Sequence, residues 1–252
     1  MHQYVFHNDR VVPLEQARLS PGQAGILNGW GLFTTMRIYD GQPFAIERHW
    51  NRLVRDAART QLTLPTDLEH LRAAVGELLA ANRIQTGCIR VYFVLNKVGI
   101  WCSNEPFPTT DLLMYTVDLP SRVGPARLGV FQHARHAANP LTGTKVISWL
   151  NNVWTLEQAH GRGFEEALLL NERNEVAECT AANIFCVKEG EALTPPLSSG
   201  CLAGVTREVL LEVGPGAGVP VREKVLTLDD VYTADEFFIT STTREMQPIS
   251  HV

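Results

Sequence analysis

The chain has 252 residues, 45% hydrophobic and 19% charged, with 22 Lys and Arg, 27 Asp and Glu and a formal net charge of −5. This length and composition are typical of a globular protein with one large domain or two modest ones. The negative charge disfavours nucleic-acid and anionic-membrane partners, so a local pocket must hold any anionic ligand. No apolar run is long enough to span a membrane.

The cysteine and histidine patterns bear on compartment and metal binding. Five cysteines, an odd number without a C-x-x-C pair, argue against a disulfide framework and a structural zinc site. The eight histidines show no H-E-x-x-H or similar spacing, so we expect no metal site. The N-terminus lacks the basic and apolar regions of a secretory signal. We therefore expect a reduced, cytoplasmic protein.

The first half of the chain alternates strand and helix patterns. Strands are predicted where β-branched and aromatic residues cluster, and helices where apolar residues recur at helical spacing. Glu69 follows Thr66 by three residues, the spacing of a capping box, so the second helix is expected to start at Thr66. The predicted elements are the hairpin strands Gln3 to Phe6 and Arg10 to Val12, the strand Leu32 to Tyr39, helices from Glu47 to Arg59 and from Thr66 onward, and the strands Cys88 to Leu95 and Leu112 to Val117.

A segment with the composition of a linker, Leu119 to Pro125, separates the two halves. We predict an α+β fold with a small N-terminal α/β domain (1–118), this linker (119–125) and a larger C-terminal domain (126–252). The later elements are predicted as strands Ala126 to Gln132, Glu166 to Leu170 and Ile184 to Val187, helices Asn151 to His160 and Thr206 to Val213, and the last strands Val219 to Val225 and Glu236 to Thr240.

Two features suggest an anionic ligand and an imine-forming amine. Gly204-Val205-Thr206 lies directly before a helical run, where free N–H groups and the helix dipole bind phosphate, although a plain threonine cap is the commoner alternative. Lys145 enters the apolar pair Val146-Ile147. Burial there would lower the pKa of its amine, as imine chemistry requires, whereas a lysine that extends its charged head into water is the alternative.

Two charged residues are ambiguous by themselves. Glu178 lies between apolar strands and is either a surface turn residue or a buried anion with a cationic partner. Arg52 shares a helix face with Arg48 and His49 and alone would be taken for a solvated charge.

Together and in this order, these segments resemble the class IV aminotransferases, which include branched-chain aminotransferases, D-amino acid aminotransferases and aminodeoxychorismate lyases. The resemblance covers nearly the whole chain. Its blocks are Gly29-Trp-Gly-Leu-Phe-Thr-Thr-Met-Arg37, His49-Trp-Asn-Arg52-Leu, Gly143-Thr-Lys145, Glu178-Cys-Thr-Ala-Ala-Asn183, Gly204-Val-Thr-Arg207-Glu and Thr240-Ser-Thr-Thr243-Arg-Glu.

The resemblance implies a pyridoxal 5'-phosphate (PLP) enzyme of fold type IV, with a small α/β domain, a larger domain around a β-barrel, and a homodimeric assembly. Lys145 would hold the cofactor as a Schiff base and, once freed by the substrate, remove its Cα proton. Glu178 would keep the pyridine nitrogen protonated. Residues implied in the remaining cofactor contacts are Arg52, Gly204, Val205, Thr206 and Thr242 for the phosphate and Leu202 for the ring face.

The substrate is specified less well. Arg37 and Arg90 are similar to strand arginines of branched-chain enzymes that meet a second carboxylate, but each is equally open to a structural role; Thr243 is a further expected substrate contact. The segment Asn96 to Trp101 departs from the Arg-Gly motif of many relatives.

We expect an aminotransferase that acts on amino acids or amines and 2-keto acids. The alternatives are an aminodeoxychorismate lyase and a non-catalytic PLP-binding homologue. Because relatives extend some tens of residues past Thr242, we expect either a short subgroup or a longer natural chain.

Overall fold

The structure is a computed structural model that describes residues 1–96, 109–121 and 124–252. Two compact units make up the chain: Met1–Pro120 with Lys145–Trp149, and Ser121–Thr144 with Leu150–Val252. The division at residues 118 and 126 stays a prediction. Most of the segment that departs from the Arg-Gly motif, residues 97 to 101, lies outside the described residues.

The first unit contains a six-stranded antiparallel sheet with the order β2-β1-β6-β5-β3-β4. The hairpin and the two long helices predicted for this half are confirmed. The elements are β1 (Tyr4–His7), β2 (Arg10–Pro13), α1 (Ala24–Asn28), β3 (Gly31–Tyr39), β4 (Gln42–Pro43), α2 (Ile46–Thr60), α3 (Leu68–Asn82), β5 (Gly87–Asn96) and β6 (Thr109–Val117).

The two faces of this sheet differ because successive side chains of a strand point to opposite sides. One face contributes buried Leu32, Met36 and Ile38 of β3 to a hydrophobic core that also includes buried residues of α2 and α3. The opposite face of β3 carries Phe33, Thr35 and Arg37. This second face holds the polar and aromatic residues described below.

The segment that follows Gly143 joins the first unit through β3. Phe33 N donates to the Lys145 carbonyl at 3.0 Å, and Ile147 N donates to the Gly31 carbonyl at 3.0 Å. A side chain at position 31 would collide with the Phe93 carbonyl and the Ile147 side chain. Gly31 therefore lets the lysine segment lie against the strand.

The second unit contains an eight-stranded mixed sheet with the order β12-β11-β10-β13-β14-β7-β8-β9. It curls, so that β9 lies close to β10. Its core includes Leu128, Leu168, Ile184 and Ile239, all fully buried. The elements are β7 (Ala126–Phe131), α4 (Leu150–Gly161), β8 (Glu166–Leu170), β9 (Val176–Cys179), β10 (Asn183–Lys188), β11 (Glu191–Thr194), α5 (Val205–Val213), β12 (Val221–Glu223), α6 (Leu228–Tyr232), β13 (Glu236–Ser241) and β14 (Glu245–His251).

Two local predictions are wrong. The second helix is capped by Asp67, whose carboxylate accepts from His70 N at 2.9 Å, and not by Thr66. An aspartate in this position satisfies the same free N–H group that a capping threonine would. Residues 236–240 are also not the last strand, because β14 pairs with β13 and β7. Pro248 and the polar residues around it give β14 a sequence that lacks the usual pattern of a strand.

Candidate active site

Lys145 lies in the first unit with its backbone bonded on both sides. Its N–H donates to Asp56 Oδ2 at 3.0 Å, and its carbonyl accepts from Phe33 as described above. The side chain is half-buried, and Nζ lies 4.6 Å from the centroid of the Phe33 ring. An amine over an aromatic face has its position fixed by packing and by the ring quadrupole.

A polar stripe on the buried face of α2 faces the same region. His49, Arg52 and Asp56 recur at i, i+3 and i+7 and are 1%, 7% and 1% exposed. Arg52 Nη2 donates to Thr34 Oγ1 at 2.9 Å, and Thr34 Oγ1 lies 2.7 Å from His49 Nδ1. Charged residues are rarely this buried unless they are paired or bind a ligand.

His49 is held in its neutral form. Burial, followed by the positive charges of Arg52 and Lys145, lowers the pKa of His49 well below its usual value. The ring is therefore a hydrogen-bonding group at neutral pH and adds no third cation to this cluster.

The second face of the sheet carries an aromatic ladder next to Phe33. The rings of Phe33 and Tyr92 stack with centroids 5.5 Å apart, and those of Tyr92 and Tyr115 with centroids 5.6 Å apart. The Tyr92 and Tyr115 hydroxyls are 3.2 Å apart, and Arg90 Nη1 lies 3.5 Å from the Tyr92 hydroxyl. Burial and the hydrogen bond to Tyr92 raise the pKa of Tyr115 to about 12, so this hydroxyl keeps its proton at neutral pH.

Arg37 lies on this same face. Thr35 is the register partner of Arg90, and Arg37 follows two residues along β3. Its guanidinium carbon lies 5.1 Å from the centroid of the Tyr39 ring. The two arginines predicted to bind substrate are therefore neighbours on one sheet face, together with Tyr92 and Tyr115, which sequence reasoning missed.

Glu178 lies in the second unit, at the end of β9, and is 8% exposed. Arg135 Nε donates to its Oε1 at 3.0 Å, and Leu202 N donates to its Oε2 at 3.1 Å. Of the two alternatives raised by the sequence, Glu178 is the buried anion with a cationic partner. Arg135 was not identified from the sequence.

Further hydrogen bonds fix the surroundings of this carboxylate. Arg135 Nη1 donates to Asn152 Oδ1 at 3.0 Å, and Asn152 Nδ2 donates to the Thr180 carbonyl at 2.6 Å. The Thr180 hydroxyl and N–H both donate to Glu166, which is fully buried and also paired with Arg244 at 2.8 Å. The segment after Glu178 is thereby held at several points.

Helix α5 begins directly after Gly204, which is its N-cap and provides no side-chain cap. Asn183 Nδ2 donates to the Leu202 carbonyl at 2.8 Å, and a side chain at position 204 would collide with Asn183 Oδ1. The N-terminus of this nine-residue helix, with Val205 and Thr206 in its first turn, is thus presented by a glycine.

The remaining two candidates lie in the turn between β13 and β14. Thr242 and Thr243 follow Ser241, which pairs with Glu245 across the hairpin. The Ser241 and Thr243 hydroxyls are 3.5 Å apart, and Arg244 N donates to Ser241 Oγ at 3.3 Å. A hairpin turn is suited to presenting hydroxyl and N–H groups to a ligand.

Comparison with known proteins establishes the family. The sequence profile of amino-transferase class IV matches residues 31–252. The chain belongs to the class IV aminotransferases, and it is therefore a PLP-dependent enzyme that transfers amino groups.

Named relatives and solved structures agree with this assignment. A D-alanine aminotransferase of Listeria innocua is 32% identical over 254 residues, which cover 98% of this chain and 87% of that protein. A branched-chain aminotransferase from Thermoproteus uzoniensis, solved with norvaline, is 28% identical with a TM-score of 0.91 and covers 99% of this chain and 86% of that one. A hypothetical aminotransferase from Mycobacterium tuberculosis, solved in its PLP-bound form, has the same fold at 20% identity, with a TM-score of 0.87 and coverage of 98% and 89%. The predicted fold class is confirmed.

The residues present fit PLP. Lys145 in the first unit has a half-buried amine, a group that can condense with an aldehyde. Considered by itself, the second unit has the buried carboxylate of Glu178 and a helix N-terminus that lacks a side-chain cap. These are the groups that a phosphorylated pyridine aldehyde requires.

Among the residues described, no helix is long and apolar enough to cross a membrane.

Proposed function

We propose that Lys145 is the residue that binds PLP covalently and that moves the Cα proton of an amino-acid substrate. The observation that carries this proposal is the setting of Lys145, which is bonded through its backbone to Asp56 and Phe33, with Nζ over the Phe33 ring. A reacting amine must be held in a defined position, and these contacts supply the restraint.

Glu178 is the proposed partner of the pyridine nitrogen. Its burial and its hydrogen bonds from Arg135 and Leu202 support this role, because they hold a carboxylate in one orientation. Leu202, whose N–H binds this carboxylate, is the proposed contact on the ring face.

The proposed phosphate ligands are Arg52, the N-terminal turn of α5 at Gly204, Val205 and Thr206, and Thr242. Support comes from the burial of Arg52, from the absence of a side-chain cap on α5, and from the position of Thr242 in a hairpin turn. A phosphate dianion is stabilised both by an arginine and by helix N–H groups.

The chemistry follows from these roles. When bound, the cofactor supplies an electron-accepting ring and a carbon that exchanges the amino group. Lys145 Nζ would take the proton from the substrate Cα and later return a proton, and Glu178 would supply a negative charge for the ring nitrogen. One water would be consumed as the amino acid becomes a keto acid, and one would be released as a second keto acid becomes an amino acid.

The amino donor is proposed to carry a side-chain carboxylate. Arg37 and Arg90 lie on one sheet face with the Tyr92 and Tyr115 hydroxyls, which supports an anion-binding site with several donors. Thr243 is the further proposed substrate contact.

We also propose a homodimer located in the cytoplasm. Helix α4 exposes an apolar stripe of Leu150, Val153 and Trp154, which are 76%, 43% and 59% exposed. An exposed stripe of this kind is typical of an interface. Cys179, Cys186 and Cys201 are buried free thiols, which supports a reducing compartment, and burial raises the pKa of Cys201 to about 12. Sedimentation measurements with Trp154→Glu test the dimer, which this substitution should dissociate.

Reduction with borohydride followed by peptide mapping tests the lysine assignment. The cofactor should be fixed to Lys145 in the wild type, and Lys145→Ala should retain PLP only weakly and lose about 10⁴-fold in turnover. A label on another lysine would refute the assignment.

A screen of amino donors with keto-acid detection tests the reaction, whereas pyruvate released from aminodeoxychorismate without an acceptor would indicate the lyase. A folded holoenzyme that forms no keto acid from any amino donor would indicate a non-catalytic homologue.

A further inference from the structure

One nitrogen of His49 has no partner in the described part of the chain. The side chain is 1% exposed, and its Nε2 is buried without a hydrogen bond. A buried donor left unsatisfied is costly, and native proteins retain few of them. Such an atom beside a cationic cluster indicates a contact that a bound group completes.

The neighbours of His49 determine which nitrogen carries the proton. Thr34 Oγ1 accepts from Arg52 Nη2 at 2.9 Å, so the hydroxyl proton can point at His49 Nδ1, 2.7 Å away. Arg52 Nη2 itself lies 3.4 Å from the same nitrogen. Because two donors face Nδ1, this atom is the acceptor, and the single proton of the neutral ring lies on Nε2.

We propose that His49 Nε2–H is a further donor to the phosphate of the cofactor, next to Arg52. This inference rests on the proposed role of Arg52 as a phosphate ligand. His49 and Arg52 lie one turn apart on the same buried face of α2, and Thr34 links the two side chains. The charges of Arg52 and Lys145 favour an anionic acceptor for the remaining N–H group.

Thr34 has a positioning role in this arrangement. Its hydroxyl oxygen accepts a hydrogen bond from Arg52 and its hydroxyl proton is donated to His49, which sets the tautomer that donates to the ligand. Thr34→Ser keeps the hydroxyl and should preserve cofactor affinity. Thr34→Val removes the hydroxyl with little change in volume and should reproduce part of the loss seen when His49 is replaced.

Affinities for PLP and for pyridoxal, which lacks the phosphate, distinguish this role from a structural one. Each apoenzyme is titrated with both compounds, and binding is followed by absorbance. His49→Leu should weaken PLP about tenfold or more and leave pyridoxal unchanged, since a hydrogen bond to a charged group contributes that much. His49→Gln, whose amide nitrogen can take the place of Nε2, should stay within about threefold of the wild type.

Two results would overturn the inference. Equal weakening of PLP and pyridoxal by His49→Leu would indicate a role in packing, and unchanged PLP affinity would show that Nε2 does not contact the phosphate. Thermal unfolding of each apoenzyme identifies a variant that fails to fold. If His49→Leu does not fold, the affinities of His49→Gln for PLP and for pyridoxal decide between a phosphate contact and a packing role. A wild type that binds PLP no more tightly than pyridoxal would instead refute the proposed phosphate site itself.

Discussion

The two units of the chain differ in how the charged side chains near the proposed ligands are paired. In the first unit, Lys145, Arg52, Arg37 and Arg90 lie near aromatic rings, hydroxyls and a neutral imidazole. In the second, each buried carboxylate of the site is paired with an arginine: Glu178 with Arg135 and Glu166 with Arg244. The first unit thus gathers several cations around one buried carboxylate, Asp56, and is suited to receive anions, whereas the second holds its own anions in fixed orientations. Substitutions should therefore affect ligand binding in the first unit, and stability and rate in the second.

The largest effect on stability is expected at the Glu166–Arg244 pair. Arg244→Met removes the partner of a fully buried carboxylate, and the free energy of unfolding should fall by about 3 to 5 kcal/mol. Urea unfolding followed by circular dichroism measures this change. Arg127→Met is the matched control, because Arg127 forms an exposed pair with Glu165, the residue directly before Glu166 in the chain. Similar losses in the two variants would contradict the distinction between buried and exposed pairs.

The next effect concerns rate. Arg135→Met removes the hydrogen bond that orients Glu178, and kcat should fall about 10²-fold while the affinity for PLP changes little. The pH titration of the cofactor absorbance should shift as well, because the electrostatic environment of Glu178 has changed. Arg135→Lys, which keeps the charge, should lose less. An unshifted titration together with a reduced kcat would assign Arg135 a structural role only.

The sequence was sufficient where the determinants are local. Helix α2 and strand β3 follow from residues close in the chain, because periodicity and β-branched composition act over a few positions. The contact between Asp56 and the Lys145 backbone spans 89 residues, and no local pattern indicates it. The polar stripe on α2 was detectable in part, since His49 and Arg52 were seen to share a face. The buried state of that face depends on its packing against β3, which decides whether a charge is solvated or bound.

The same reasoning applies to the second unit. Glu178 was ambiguous between a turn residue and a buried anion, and the ambiguity is resolved by Arg135, which lies 43 residues away. Thr66 and Asp67 are both good caps, and the choice between them depends on which oxygen reaches His70 N. Resemblance to the family implied which residues bind the cofactor, but the residues that hold Lys145 and Glu178 in position are visible only in the structure.

A smaller effect is expected at the sheet face of the first unit. Arg90→Gln should raise KM for an amino donor with a side-chain carboxylate about tenfold, because the proposed charge-assisted hydrogen bond from Arg90 to that carboxylate is lost. KM for a donor without that carboxylate should not change. Tyr115→Phe keeps the ring stack and removes one hydroxyl, so its effect should be smaller. Equal increases in KM for both donors would show that Arg90 does not bind the side-chain carboxylate of the donor.

The smallest effect is a dependence of stability on pH that comes from His49. Its pKa is lowered in the folded state, so the unfolded chain binds the extra proton more readily. The contribution of the neutral ring is fully present above the unfolded pKa of about 6.5 and is lost as the pH falls below it, by at most about 1.4 kcal/mol per pH unit. His49→Gln cannot take up a proton, so its free energy of unfolding should fall less steeply than that of the wild type between about pH 6.5 and about pH 5.5. Urea unfolding of both apoenzymes at several pH values measures the difference in slope. Parallel slopes would show that His49 is protonated equally in the folded and unfolded states, and this would remove the basis for treating the first unit as a cationic site with a neutral donor.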